Sequence, residues 1–168
     1  QGPTTESPYR SLEHIPGFTA GGWFDAGDFD IETPSHDATL LSMVGTWEEF
    51  RPDRDQTFID PEKHYAEIHR PDGKADLLQQ IAHGVLPIVA QVEQIGHPCR
   101  GITLPTLYSY HHLGDASTET DNLVDTGDER WCFTSHDSFI DYYTAAALAA
   151  VYRPLKDFNA PLADRCLR

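Results

Sequence analysis

Residues 21–33 read GGWFDAGDFDIET and place four carboxylates and three glycines in thirteen positions. Like charges at this spacing repel, and packing alone gives no reason to gather them beside Trp23, Phe24 and Phe29. The segment therefore raises the question of what uses Asp25, Asp28, Asp30 or Glu32: a metal, a water molecule or a cationic partner. Directly after it the pattern turns helical. Thr33 is placed to cap, Pro34 suits a first helical position, and Leu40, Val44 and Trp47 recur at i, i+4 and i+7, which predicts a helix over about 34–50.

Three more helical patterns follow. Leu77, Leu78, Ile81, Val85, Ile88, Val89 and Val92 mark one over about 74–95, with Gly84 and Pro87 expected to weaken or kink it. Gly96, His97 and Pro98 are expected to end it. Tyr142, Tyr143, Ala146, Ala150 and Val151 mark a third over about 138–152, stopped by Pro154. Asn159 is placed to cap a short fourth, whose Leu162, Cys166 and Leu167 need apolar partners because so brief a helix is marginal alone. No stretch shows the period-two alternation of a substantial sheet, so the expected fold class is mainly α. Residues 51–73 and 97–137 are long polar connections, of a length that is usually functional in a compact domain.

With 168 residues, 39 % hydrophobic and 11 % aromatic, the chain is read as a single domain over 1–168, with 1–19 as an extended leader. The formal charge of −15 argues against binding nucleic acid, which needs clustered Lys and Arg on the phosphates. It argues equally against an anionic membrane surface. No apolar run approaches the ~20 residues of a membrane span, so no membrane insertion is expected. The charge fits a neutral or cationic substrate, or simply a solvated acidic surface. Cys99, Cys132 and Cys166 follow no metal or disulfide spacing and read as small apolar residues.

Three chemistries use carboxylates of the kind gathered in 21–33. An EF-hand loop needs oxygen ligands at positions 1, 3 and 5 and Gly at 6. Counted from Asp25 the oxygens fail, and counted from Asp28 the glycine position holds Thr33. A phosphotransfer nucleophile lacks both a preceding strand and a nearby Lys. The third chemistry is a pair of carboxylates acting on one water, as in inverting glycosidases. Asp25 and Asp28, three apart across Ala26 and Gly27, are spaced to converge on such a water, and the neighbouring rings suit the apolar faces of sugars. The competing reading is an exposed acidic turn before a helix N-terminus, where negative charge is favoured.

GGWFDAGDFD resembles the signature of glycoside hydrolase family nine, a cellulase-type family with a Gly-Gly-Trp-x-Asp-Ala-Gly-Asp motif. HRPDGKADLLQQIAHGVLPIVAQ, HLGDASTETDNLVDTGDERWCFTSHDS and TAAALAAVYRPLKDFNAPLADRCL are similar to later segments of that family, in order. The resemblance implies a partial six-hairpin (α/α) toroid barrel that hydrolyses β-1,4-glucosidic bonds with inversion. It implies Asp28 as the catalytic base and Asp25 as the residue that helps hold the water. Trp23, Phe24, Trp131 and His136 are carried as substrate contacts, and Asp30 and Glu32 as supporting groups. His111 and His112 lie in a connection that borders the same cleft on this reading. The family's acid Glu has no counterpart here, since Glu119 and Glu129 fall outside its motif. The chain is accordingly read as the N-terminal part of such a module, inactive alone on unactivated glucans. The implied substrate is a β-glucan or cello-oligosaccharide, and the implied location is extracellular or periplasmic. No cofactor is required; family members often bind calcium, which is allowed here without an assigned ligand set. The alternatives are a carbohydrate- or calcium-binding module without catalysis, and a metal-dependent hydrolase built on the His-Asp pairs 36–37 and 136–137.

Overall fold

The structure is a computed structural model that describes residues 6–26, 29–103, 123 and 129–168. In chain order these form β1 (Ile31–Glu32), α1 (Thr33–Phe50), β2 (Thr57–Asp60), β3 (Tyr65–Ile68), α2 (Asp76–Ile95), β4 (Gly101–Thr103), β5 (Trp131–Phe133), α3 (Ser138–Leu155) and α4 (Ala160–Cys166).

The helices fall close to where the apolar periodicity puts them, and their ends differ for identifiable reasons. Glu32 occupies the N-cap position of α1 without a side-chain cap, and Thr33 is the first helical residue. Thr33 is fully buried and exchanges hydrogen bonds with Gln91 of α2, so its hydroxyl ties two helices together instead of capping one. Helix α2 runs through Pro87 without a break and ends at Gly96, which takes φ +93° while its N–H bonds Val92 O. Pro87 has no N–H for the carbonyl four residues earlier, that of His83. Gly22 supplies the missing donor from outside the helix, its N–H lying 3.0 Å from His83 O. Asp137 caps α3 by accepting from the N–H groups of Phe139 and Ile140, and α3 extends one residue past Pro154. Asn159 caps α4 as its sequence suggests.

Each of the three long helices packs on the other two, and α4 packs on α2 and α3. Leu40 and Val44 of α1, Ile81, Val85 and Ile88 of α2, Val151 and Leu155 of α3 and Leu162 of α4 meet in one core. Leu162 and Cys166 thus find their apolar partners within the chain, while Leu167 stays exposed. A smaller cluster of Ile15, Phe18, Ala90, Cys99 and Cys132 joins the N-terminal segment to α2 and to the strands. All three cysteines are free and buried. The adjacent Cys132 thiol, and then burial, push the Cys99 thiol well above its ordinary range.

Two antiparallel sheets complete the fold. One has the order β1-β4-β5, with Ile31 opposite Ile102 and Ile102 opposite Cys132. The other is the β2–β3 hairpin, held to the start of α2 by Asp76, whose carboxylate accepts from the N–H groups of Gln56 and Thr57. These strands overturn the mainly α class and the partial six-hairpin (α/α) toroid barrel. Among the described residues the architecture is mixed α+β, four helices with two small antiparallel sheets. The sequence hid these strands because none of the described ones exceeds four residues, too short for alternation to register.

Gly45 and Gly84 sit in helices but in opposite surroundings. A Cβ on Gly45 meets nothing within 4 Å, whereas one on Gly84 lands 2.0 Å from the Trp23 ring. Gly45→Ala should therefore stabilise the fold by about 0.5–1 kcal/mol through helix propensity. Gly84→Ala should destabilise it by about 1–3 kcal/mol through overpacking. Denaturant unfolding of both variants checks the pair, and equal effects would contradict this packing.

Candidate functional site

The loop 21–30 is built from its ends toward its tip. Gly21 and Gly22 take φ +74° and +80°, and side chains there would strike α2, with a Gly21 Cβ only 2.2 Å from His83 O. The Gly22 carbonyl accepts from His83 Nε2 at 2.8 Å, so backbone and imidazole are joined in both directions. Trp23 N–H then donates to His36 Nε2 at 2.9 Å. That bond needs a neutral His36, and burial holds His36 below its ordinary value. Its Nδ1 faces the Glu32 carbonyl at 3.3 Å, which fixes the tautomer as the Nδ1–H form. The Trp23 ring lies over Gly84, stacks on His36 with centroids 5.4 Å apart, and donates from Nε1 to Gln80.

Beyond Trp23 the chain turns outward. Phe24 is 59 % exposed, and Asp25 beside it is also exposed. Asp25 N–H bonds Asp30 O at 2.7 Å and closes the tip. Phe29, at φ +59°, meets Phe24 edge-on with centroids 5.2 Å apart. Arg130 braces the far side, donating from Nε to Phe29 O and standing 3.9 Å from the Asp30 carboxylate. Asp30 also accepts from the Thr103 hydroxyl. Partial burial pushes the Glu32 carboxyl up; Arg100 pulls it down, and Asp25 and Asp30 push it further up. Among its described residues the loop gathers Asp25, Asp30 and Glu32 closely enough to raise the Glu32 carboxyl, and it exposes Phe24 and Asp25.

The structure brings Trp23, Phe24, Asp25, Asp30 and Glu32 together in and beside one loop. Trp131, half-buried on β5, pairs with Thr103 of β4, whose hydroxyl binds Asp30, so the sheet carries it to the base of that loop. Asp28, His111, His112 and Glu119 lie outside the described residues. His136 belongs to different surroundings: its ring stacks on His97, and its N–H donates to the Glu6 carboxylate. The His-Asp pairs have separate structural uses. His36 holds the Trp23 backbone, and Asp137 caps α3.

Two further groupings carry no local sequence signal. Asp37 of α1 is fully buried and accepts from the Thr144 hydroxyl of α3 at 2.6 Å. His97, His136 and Asp141 bring their ligand atoms within 4.8 Å of one another, an arrangement able to hold a metal ion. These three line a cavity of about 460 Å³ shared with Thr144 and Leu148, and a second cavity of about 390 Å³ lies between Trp47, Arg51 and Phe158. No helix among the described residues is long and apolar enough to cross a membrane. Comparison with protein-family models, with curated proteins and with solved structures found no match.

Burial raises the Asp37 carboxyl from an ordinary 3.8 to about 7, against the smaller opposing effect of the Thr144 hydrogen bond. Between those two values the folded chain holds a proton that the unfolded chain releases, so Asp37 lowers stability progressively as pH rises from about 4 to 7. The full difference is on the order of 4 kcal/mol at and above pH 7. Asp37→Asn should remove this dependence, stabilising the chain near pH 8 and changing little near pH 4. Unfolding midpoints of both proteins across that range provide the check, and parallel curves would contradict it.

Proposed function

We propose that the chain serves hydrolysis of O-glycosyl bonds in β-1,4-linked glucans, with inversion. Asp28 acts as general base and Asp25 positions the attacking water. The observation that carries this reading is the loop 21–30. Its lead residues are locked onto α2 and His36, and the consecutive residues Phe24 and Asp25 are exposed to solvent. A carboxylate next to an exposed aromatic ring suits a sugar, whose apolar face stacks while its anomeric carbon meets a water held from the carboxylate side. The likeness of GGWFDAGDFD to the glycoside hydrolase motif supports the same residues, and that support does not draw on the barrel.

In an inverting reaction the base withdraws a proton as water attacks the anomeric carbon, while a separate acid protonates the departing oxygen. Asp28 takes the first role here. Phe24 is the stacking residue at the tip, and Trp131 is a further ring near the base of the loop. His136 has no part in this reading, because its neighbours are His97, Glu6 and Asp141.

An aryl β-cellobioside tests the base alone, since a nitrophenolate leaves without a proton. Asp28→Asn should lower its turnover roughly 10²–10⁴-fold and leave cello-oligosaccharide binding within a few-fold, because the base acts in the transition state. Asp25→Asn should also lower turnover, by a smaller factor. Near-normal turnover by Asp28→Asn would remove the base assignment. Oligosaccharide bound by the unsubstituted chain with no turnover would make the segment a binding module.

A further inference from the structure

His97 follows the end of α2 and is buried, with only 7 % of its surface exposed. Its Nδ1 lies 2.8 Å from Pro98 O and its Nε2 lies 2.9 Å from Glu6 O. Carbonyl oxygens only accept, and a neutral imidazole has one N–H to give. One ring nitrogen therefore turns a lone pair toward an oxygen lone pair unless positive charge lies between them. Donation from Nδ1 to a backbone carbonyl is the arrangement that orients a metal-binding histidine through its other nitrogen. Nε2 and Glu6 O then form a pair of donors whose 2.9 Å spacing matches an edge of a coordination shell.

A proton on His97 would answer that pair alone. Asp141 raises a second question. Its Oδ1 is buried and has no hydrogen-bond partner among the described residues, and a buried oxygen in that state calls for a specific explanation. Its other oxygen stands 3.6 Å from His136 Nδ1. The ligand atoms of His97, His136 and Asp141 share one volume 4.8 Å across. A cation in that volume would be within reach of a ligand atom of each residue and would supply the positive charge that His97 and Asp141 call for.

We propose that His97, His136, Asp141 and the Glu6 carbonyl form a binding site for a divalent transition-metal ion of the zinc type. Two imidazoles with a carboxylate and a carbonyl select a borderline ion such as Zn²⁺ over the all-oxygen preference of Ca²⁺ and Mg²⁺. Cys166 lines the same cavity but is not a ligand: burial pushes its thiol up to about 11, and its sulfur donates to Leu162 O. Loading requires a small closure. Ligands ~2.0–2.1 Å from zinc stand roughly 3.3 Å apart in a tetrahedron, and the His136 ring now lies flat on His97 at 3.7 Å. His136 and Asp141 have 60 % and 36 % of their side chains exposed, which leaves both free to turn. The adjoining cavity gives the ion its entry path. A bound ion ties the N-terminal segment to the end of α2 and the start of α3, and so stabilises the fold by mass action. This site is independent of the glycosidase reading.

The full 168-residue chain, stripped with a chelator, should be titrated with Zn²⁺ against a chromophoric competitor and unfolded thermally with and without the ion. One Zn²⁺ per chain is expected, together with a rise in unfolding temperature. His136→Ala alters an exposed side chain and Asp141→Asn keeps the size of a partly exposed one, so both variants retain the fold; each should weaken binding at least tenfold and abolish the thermal shift. His14→Ala, an exposed histidine elsewhere, should change neither readout. Absence of binding by the unsubstituted chain, or wild-type affinity in either His136→Ala or Asp141→Asn, would overturn the site.

Discussion

The position of the acidic loop depends on a carbonyl that Pro87 leaves without its helical donor. The His83 oxygen would ordinarily accept from the amide four residues on, and proline has none. Gly22 N–H takes that place at 3.0 Å, and His83 returns a bond to the Gly22 carbonyl. Only glycine serves there, because φ is +80° and a Cβ would press on His36 and Pro87. One residue along α2, Gly84 leaves the space that the Trp23 ring fills. Two residues that weaken a helix in isolation are thus what lets α2 receive the loop. The Gly-Gly-Trp lead and the Gly84–Pro87 pair are two halves of one joint, and the outward turn at Phe24 and Asp25 follows from it.

This joint shows what was legible in the sequence and what was not. Apolar periodicity located the three long helices, since each buries one stripe in the shared core, while α4 was marked only by its cap. Asn159 announced that cap. Gly84 and Pro87 read as defects because their compensating partners lie some sixty residues earlier in the chain, where no local window reaches. The strands were invisible for a related reason: β1 and β5 gain their structure from pairing with β4, not from any alternation of their own. The barrel was an inference from likeness to a family along residues 20–168, and motif likeness constrains a loop far more tightly than it constrains an architecture.

The candidate sites divide along the same line. Asp25 and Phe24 were readable because charge and aromatic density are local properties. Trp23 was readable as part of the loop, but its engagement with Gly84, Gln80 and His36 depends on α2 and α1. Asp37 was legible only as half of the His-Asp pair 36–37, with nothing local to show that it is buried. Its burial arises only when α1 and α3 meet, and the Thr144 hydroxyl is its recorded hydrogen-bond partner. The contact of His97 with His136 and Asp141 likewise spans the end of one helix and the start of another, with the N-terminal segment laid across both.

Charge then limits what either site can receive. The chain has 12 Lys and Arg against 27 Asp and Glu, and its guanidinium groups are largely engaged between elements. Arg153 of α3 grips Glu48 of α1 with two hydrogen bonds, and Arg165 of α4 does the same to Glu93 of α2. Arg130 braces the loop 21–30, and Arg100 stands near Asp137 at the start of α3. Exposed pairs of this kind contribute little net stability, so the apolar core holds the helices and the pairs fix their relative placement. Positive charge committed in this way does not form a surface for a phosphate backbone, whose recognition needs several unengaged cations together. The remaining net charge is negative, and Asp25 and Asp30 act on Glu32 as part of it. An uncharged sugar enters such a field without penalty, and a divalent cation is drawn toward it. The proposed sugar and zinc sites therefore take the two classes of ligand that this surface does not repel.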